Sequence, residues 1–402
     1  MTLCGSPATP EYTFLFDCCR VGRESGSEGL TNLSFGTLDW ASVLAGARFH
    51  GILPLVYLYV SQSGAASVPA PIFRAICDAW RAGAARNMHL TAELIRIMDA
   101  LLADGIKAVP FKGPTLAALA YGKLSLRESW DLDIFVEQSR VWDARETLAR
   151  CGYSATLPAD ACEHSLLRTG KDITLVHSAT GVTIELHWAF TSREFSCHFD
   201  NQIVWRRVGM IDFAGRSIAA FHVEDLALIL SIHGARHCWD QLKWLADLAA
   251  LSTAHVEINW HRVVEQAESI GCRRILFVAL LLVREVLNTP IPDPVLARAR
   301  RDRTATALAA DAVHLISQNR SRSVSEEYVF QLRIREKARD RFSVFLAFIR
   351  GRLRPAWSYA GPRWLHPFFY LGQCLTRLLR LTGTYGFSPL KSVLRAFAGT
   401  RP

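Results

Sequence analysis

Residues Phe111–Val136 read FKGPTLAALAYGKLSLRESWDLDIFV and place two carboxylates, Asp131 and Asp133, one residue apart inside an apolar run. Alternate side chains of a strand share a face, so Leu132, Ile134 and Val136 are expected in the core, with Asp131 and Asp133 projecting together from the other side. Two neighbouring carboxylates repel unless a proton or a cation joins them. Mg2+, or Mn2+ in its place, relieves that repulsion and commonly bridges carboxylates to phosphates. A pair of such ions lowers the pKa of an attacking hydroxyl and stabilises a leaving pyrophosphate during in-line displacement.

A D-x-D pair carries little information alone, since about one is expected by chance at this length and an average charged content. Its surroundings add weight. Upstream lies Lys112-Gly113-Pro114, where Gly113 permits close backbone approach, Pro114 suits the first position of a helix, and the free N–H groups of that helix suit an anion. Lys112, Lys123 and Arg127 add positive charge; singly each reads as solvated surface, and together beside the D-x-D they read as a phosphate-binding group. Downstream, Thr183-Ile184-Glu185-Leu186-His187-Trp188 supplies a third carboxylate. Alternation puts Glu185 on one face with Thr183 and His187, and Ile184, Leu186 and Trp188 on the other. Asp172, at a strand edge, is the reserve.

Outward from this stretch, Ile106–Phe111 reads as a strand, Thr115–Tyr121 as a helix, and Val141–Arg150 as a helix closed by Cys151-Gly152. The β-rich runs Ile173–Val176 and Val182–Trp188 flank a hairpin turn at residues 178–181. Pro71 opens a long helical pattern through Ile72, Ile76, Trp80, Ala84, Met88, Ile95, Met98 and Leu102 to Asp104-Gly105. Asp39 is placed to cap a helix from Trp40, and residues 1–36 show no sustained period and read as a loosely ordered lead. Helices are expected over residues 224–236, 239–251, 260–269, 273–287, 294–318 and 326–349. The order implies an α+β fold, a small mixed β-sheet core embedded in a mainly helical chain. Four segments follow: an N-terminal helical region (1–104), the sheet core (105–205), a helical domain (206–320) and a basic, aromatic-rich C-terminal region (321–402).

The chain has 402 residues, half of them hydrophobic, and a net charge of +9. Residues 341–402 hold nine Arg and one Lys with no Asp or Glu, so their +10 leaves residues 1–340 at −1. An acidic partner is expected at that end. Its arginines, interleaved with Trp357, Tyr359, Trp364, Phe368, Phe369 and Tyr370, suit a nucleic acid, an anionic membrane surface or an acidic peptide; packing of the aromatics with solvated arginines is the plain alternative. The strongest apolar run, Ile275–Val283, is too short to span a bilayer, and the N-terminal residues lack a basic region followed by an apolar segment, so a cytoplasmic protein without a secretory signal is expected. Ten scattered cysteines without a C-x-x-C pair read as reduced thiols.

The order K-G-x-x-L-x-x-L-x-Y, then Arg127, D-L-D-I-x-V and I-E-L-H-W resembles the uncharacterised nucleotidyltransferase family of the DNA polymerase β-like superfamily. His233–Trp239 and Leu242–Asp247 resemble its second block, and the resemblance spans roughly residues 40–300. It implies a minimal nucleotidyltransferase core with Asp131, Asp133 and Glu185 as metal ligands and an NTP as substrate. The superfamily usually has Gly-Ser where this chain has Gly113-Pro114, so Lys112 or Thr115 is expected to replace the missing hydroxyl. Lys243 either pairs with Asp247 one turn away or reaches the triphosphate from the helical domain. His187 steadies the carboxylates or is a satisfied structural histidine. His233 and His237, four apart, have zinc-compatible spacing but no clear third ligand, which favours a structural role.

The reaction expected is Mg2+-dependent transfer of a nucleoside monophosphate to a hydroxyl or phosphate of an unidentified acceptor, a small molecule, saccharide, peptide or protein. Transfer to an RNA or tRNA 3′ end is one alternative. A non-catalytic nucleotide-binding scaffold working through its basic tail is the other.

Overall fold

Strands β1 (Ala108–Pro110), β2 (Asp131–Val136), β3 (Tyr153–Ala155), β4 (Asp172–His177) and β5 (Thr183–His187) form one sheet in the order β1-β2-β5-β4-β3. β2 and β5 run parallel and the other neighbours antiparallel, which makes the sheet mixed. The parallel register sets Asp133 opposite Glu185 and Phe135 opposite His187. One sheet face carries Leu132, Ile134, Val136, Ile184, Leu186 and Trp188 into the core, as alternation requires. The computed structural model describes residues 9–20, 35–63, 65–155, 163–192, 195, 197 and 199–353. The aromatic residues expected at the basic end, Trp357 to Tyr370, lie outside the described residues.

The helices preceding and flanking the sheet are α1 (Pro10–Arg20), α2 (Trp40–Phe49), α3 (Leu53–Ser63), α4 (Ala70–Ala103), α5 (Gly113–Tyr121), α6 (Val141–Arg150), α7 (Glu163–Thr169) and α8 (Asn201–Arg206). After it come α9 (Val223–Arg236), α10 (Leu242–Ala254), α11 (Trp260–Ser269), α12 (Arg273–Leu287), α13 (Asp293–Arg301), α14 (Arg303–Ser317), α15 (Val324–Ile334) and α16 (Ala338–Leu353). The fold is therefore α+β, a mixed sheet within a mainly helical chain. The chain divides into two compact units: one holds the sheet and helices up to Ser321, and the other holds Phe195 and the described residues from Arg322 onward. In the second unit the Arg335 guanidinium lies 3.8 Å over the Phe195 ring.

Several boundaries differ from the sequence reading. The unperiodic lead contains α1, whose Phe14, Leu15, Phe16, Cys18 and Cys19 are all buried; a helix covered on most sides shows no amphipathic stripe. On α4 the buried ridge is Ile76, Gly83, Asn87, Leu90, Thr91, Leu94, Ile97 and Leu101, and Met88 and Leu102 face solvent. The stripe was obscured because its middle is polar: Asn87 Nδ2 donates to the Leu124 and Arg127 carbonyls, fixing the loop before β2. The helix expected over 294–318 breaks at Asp302, which is extended and caps α14 through the Thr304 and Ala305 N–H groups. The helix expected over 326–349 breaks at the extended Arg335. A hairpin of β6 (Gly209–Phe213) and β7 (Arg216–Ala220) was not anticipated. Its turn has Ala214 and Gly215 both at positive φ, and Ala-Gly lacks the Asn-Gly signature of such turns.

Candidate active site

Lys112 ends the segment after β1, and Gly113 starts α5 with φ +56. A Cβ at Gly113 would stand 3.0 Å from the Asp131 carbonyl, so the turn can lie this close to β2 only without a side chain. The approach delivers Lys112 Nζ to Asp133 Oδ1 in a direct ion pair. From β5, His187 Nε2 lies 3.1 Å from that same oxygen and 3.2 Å from Glu185 Oε2. Asp133 and His187 are 2% and 3% exposed, and Glu185 is half-buried. One donor atom each from Asp133, Glu185 and His187 lies within 4.8 Å of the others, the one such group of three metal-binding side chains among the described residues.

The aromatic rings of Phe111, Phe135, Phe190 and Phe221 close one end of this face. Phe111 meets the His187 ring edge-on at 5.1 Å, and Phe135 stacks on Phe190 at 4.5 Å. Asp133 and His187 are buried beside these rings, so their charges interact strongly. Burial works to neutralise Asp133, but Lys112 and His187 outweigh it and hold the carboxyl well below the ordinary range. The His187 hydrogen bond likewise lowers Glu185. Asp131, with burial and the Asp133 charge acting on it, is raised.

A basic layer surrounds the carboxylates. Lys171, beside Asp172, is brought down to about 8 by burial and then by Arg236. His233 is held well below the imidazole range by burial and then by Lys112 and neighbouring basic groups. The His233 and His237 rings lie 4.8 Å apart, and His237 stacks on Trp244 at 4.7 Å. No third metal-binding side chain joins the two histidines among the described residues, and their rings pack against each other and Trp244. That packing depends on Gly234: Cys238 and Trp239, both at positive φ, turn the Trp239 ring onto the spot a Gly234 Cβ would fill.

The other expected site residues fall in two groups. Thr115 is fully buried, and its Oγ1 has no hydrogen-bond partner. Lys243 Nζ lies 4.9 Å from the Trp244 ring centroid, and burial and then Arg127 lower its pKa. The reading of Lys243 as a surface partner of Asp247 does not hold, because Asp247 is buried and engaged elsewhere. It receives Arg127 Nε at 2.9 Å and Nη2 at 3.1 Å, and the Tyr121 hydroxyl at 2.9 Å. Arg127 also donates to Ser129 Oγ at 3.2 Å. Its fork is thus committed to a clamp between the D-x-D loop and α10.

The family model for uncharacterised nucleotidyltransferases matches residues 36–288, which takes in the sheet, the Lys-Gly turn, the clamp and helices α2 to α12. The chain belongs to the uncharacterised nucleotidyltransferase family. As a nucleotidyltransferase it transfers a nucleoside monophosphate group from an NTP. Among curated proteins none matches the chain. Within this nucleotidyltransferase the sequence reading did not single out Lys171, Arg236, Asn87 or Tyr121. Lys171 and Asn87 lie outside the quoted motifs, whereas Tyr121 and Arg236 stand inside them and had no local signal of their own roles.

Proposed function

We propose that this nucleotidyltransferase is a divalent-metal enzyme that passes the NMP group of an NTP to a hydroxyl or phosphate of an acceptor and releases pyrophosphate. The observation that carries the reading is the Asp133–Glu185 pair, brought side by side by the parallel β2–β5 register and kept ionised beneath a layer of cations. These oxygen donors fit Mg2+ or Mn2+, and the Lys112 ammonium is paired with Asp133. Asp133 and Glu185 would hold the metal, with Asp131 at the mouth of the same face. The ion, when bound, supplies charge stabilisation for the phosphoryl group undergoing displacement.

The chain's own groups do the rest. Lys112, Gly113 and the first turn of α5 receive phosphate oxygens, with Thr115 Oγ1 a buried hydroxyl in that turn and Lys243 approaching from α10. Arg127 acts through the clamp and positions both segments. Glu185 accepts the proton of an acceptor hydroxyl as its oxygen bonds the α-phosphorus and the bond to the β-phosphate oxygen breaks. We place the reaction in the cytoplasm, a reading supported by described cysteines that form no disulfide. No helix among the described residues is long and apolar enough to cross a membrane.

The test is incubation with α- and γ-labelled NTP, Mg2+ or Mn2+ and cell extract. Label from the α position is expected in the acceptor and label from the γ position in pyrophosphate. Asp133→Asn is expected to abolish metal-dependent NTP binding; a folded variant that binds as before, or transfer of the γ label to the acceptor, overturns the assignment.

A further inference from the structure

We propose that His187 is a nitrogen ligand of the metal centre, oriented by Asp172, and that the centre therefore takes Mn2+ in preference to Mg2+. The inference rests on the metal-dependent reading above and specifies the ligand set, which becomes Asp133, Glu185 and His187 in place of Asp131, Asp133 and Glu185.

The geometry distinguishes the two nitrogens of one ring. Nε2 points at both carboxylates, 3.1 Å from Asp133 Oδ1 and 3.2 Å from Glu185 Oε2. Nδ1 is buried and has no hydrogen-bond partner, and the polar atom it faces is Asp172 Oδ2 at 3.6 Å. Asp172 is paired in register with His187 on the neighbouring strand and is itself held by Lys171. Nε2, Asp133 Oδ1 and Glu185 Oε2 lie close enough together to share one cation, while Nδ1 faces the Asp172 carboxylate from the opposite edge of the ring. With a cation at Nε2 the proton moves to Nδ1 and faces Asp172, and both nitrogens are satisfied. Carboxylate, histidine and metal in this sequence is the usual way a protein fixes the tautomer of a ligating imidazole.

The ligand set then dictates the metal. Mg2+ demands a near-ideal octahedron of oxygen ligands and keeps several of its waters, whereas first-row transition ions accept imidazole nitrogen beside carboxylate. Mn2+ is the member of that series whose oxygen affinity also suits phosphate. Asp131, outside the three-residue group, remains available to the nucleotide side of the site.

Mn2+ added to the full-length protein provides the probe. Electron paramagnetic resonance with pulsed detection of nitrogen coupling should show one directly bound nitrogen in the wild type, and Mg2+ should displace the ion only at about tenfold or greater excess. In His187→Gln, with its fold checked by circular dichroism, the coupling should vanish and Mn2+ affinity should fall by about ten- to a hundredfold; Asp172→Asn should weaken binding while keeping the coupling. Bound Mn2+ without nitrogen coupling in the wild type, or coupling that persists in folded His187→Gln, overturns the proposal. If Asp133→Asn still removes metal-dependent NTP binding, the enzyme reading survives that result. Loss of all Mn2+ and Mg2+ binding to the wild type overturns both.

Discussion

Asp133 stays ionised in a nearly dry site because Lys112 and His187 outweigh its desolvation, so its carboxylate contributes stability above the pKa of the unfolded side chain and loses it as the pH falls below that. His50 supplies a second, separable pH dependence. Its ring is fully buried where α2 ends, Nδ1 accepts the Leu242 N–H at 3.4 Å, and its carbonyl accepts the Lys243 N–H at 3.1 Å, so it seats the start of α10. Burial lowers its pKa from 6.5 to about 4. Above pH 6.5 the imidazole is neutral in both states and costs nothing; as the pH falls towards 4 the unfolded chain takes up a proton that the folded chain refuses. The lost stability is about 3 kcal/mol, at about 1.4 kcal/mol per pKa unit. Urea denaturation at pH 7.5 and 4.5 should show this loss in the wild type and a smaller one in His50→Gln, and equal pH slopes would count against it.

At the scale of elements, the strands around the D-x-D were legible because alternation is local: Leu132, Ile134 and Val136 on β2 and Ile184 and Leu186 on β5 mark their buried face without any partner being known. The pairing of Asp133 with Glu185 was suggested by their residue types, but the parallel register that aligns them is a long-range property. Arg127 shows what local reading misses. Beside a D-x-D it looked like a phosphate ligand, and 120 residues separate it from the carboxylate that claims it. The clamp predicts a particular pattern of damage. Arg127→Lys keeps the charge and loses the two-pronged geometry, and Asp247→Asn leaves a buried guanidinium uncompensated, so each should lower stability by about 3 kcal/mol or more in thermal or urea melts. NTP affinity should fall with the loss of structure. A variant with an unchanged melting temperature and weakened NTP binding would instead make Arg127 a direct phosphate ligand.

For the whole molecule, charge is the property that divides the chain. Residues 354–402 hold six Arg and one Lys without an acidic residue, so removing them takes the net charge from +9 to +2. We expect a chain ending at residue 353 to bind NTP as the full chain does and to lose salt-sensitive retention on a polyanion such as heparin; retention equal to that of the full chain would leave the basic end without a docking role.

The exchange of partners at Lys112 reaches further than its place in the turn. This ammonium sits on the Asp133 oxygen that the proposed cation would use, and the phosphates of an NTP are an alternative counter-ion for it. A divalent ion that displaces Lys112 from Asp133 releases it towards the triphosphate, and a triphosphate that draws Lys112 away exposes Asp133 to the ion. Metal and nucleotide bound as proposed would thereby be coupled with positive sign, each tightening the other by the same factor. On the proposed reading, Lys112 would serve as the charge partner of Asp133 that gives way to both ligands, so that they bind as a cooperative pair.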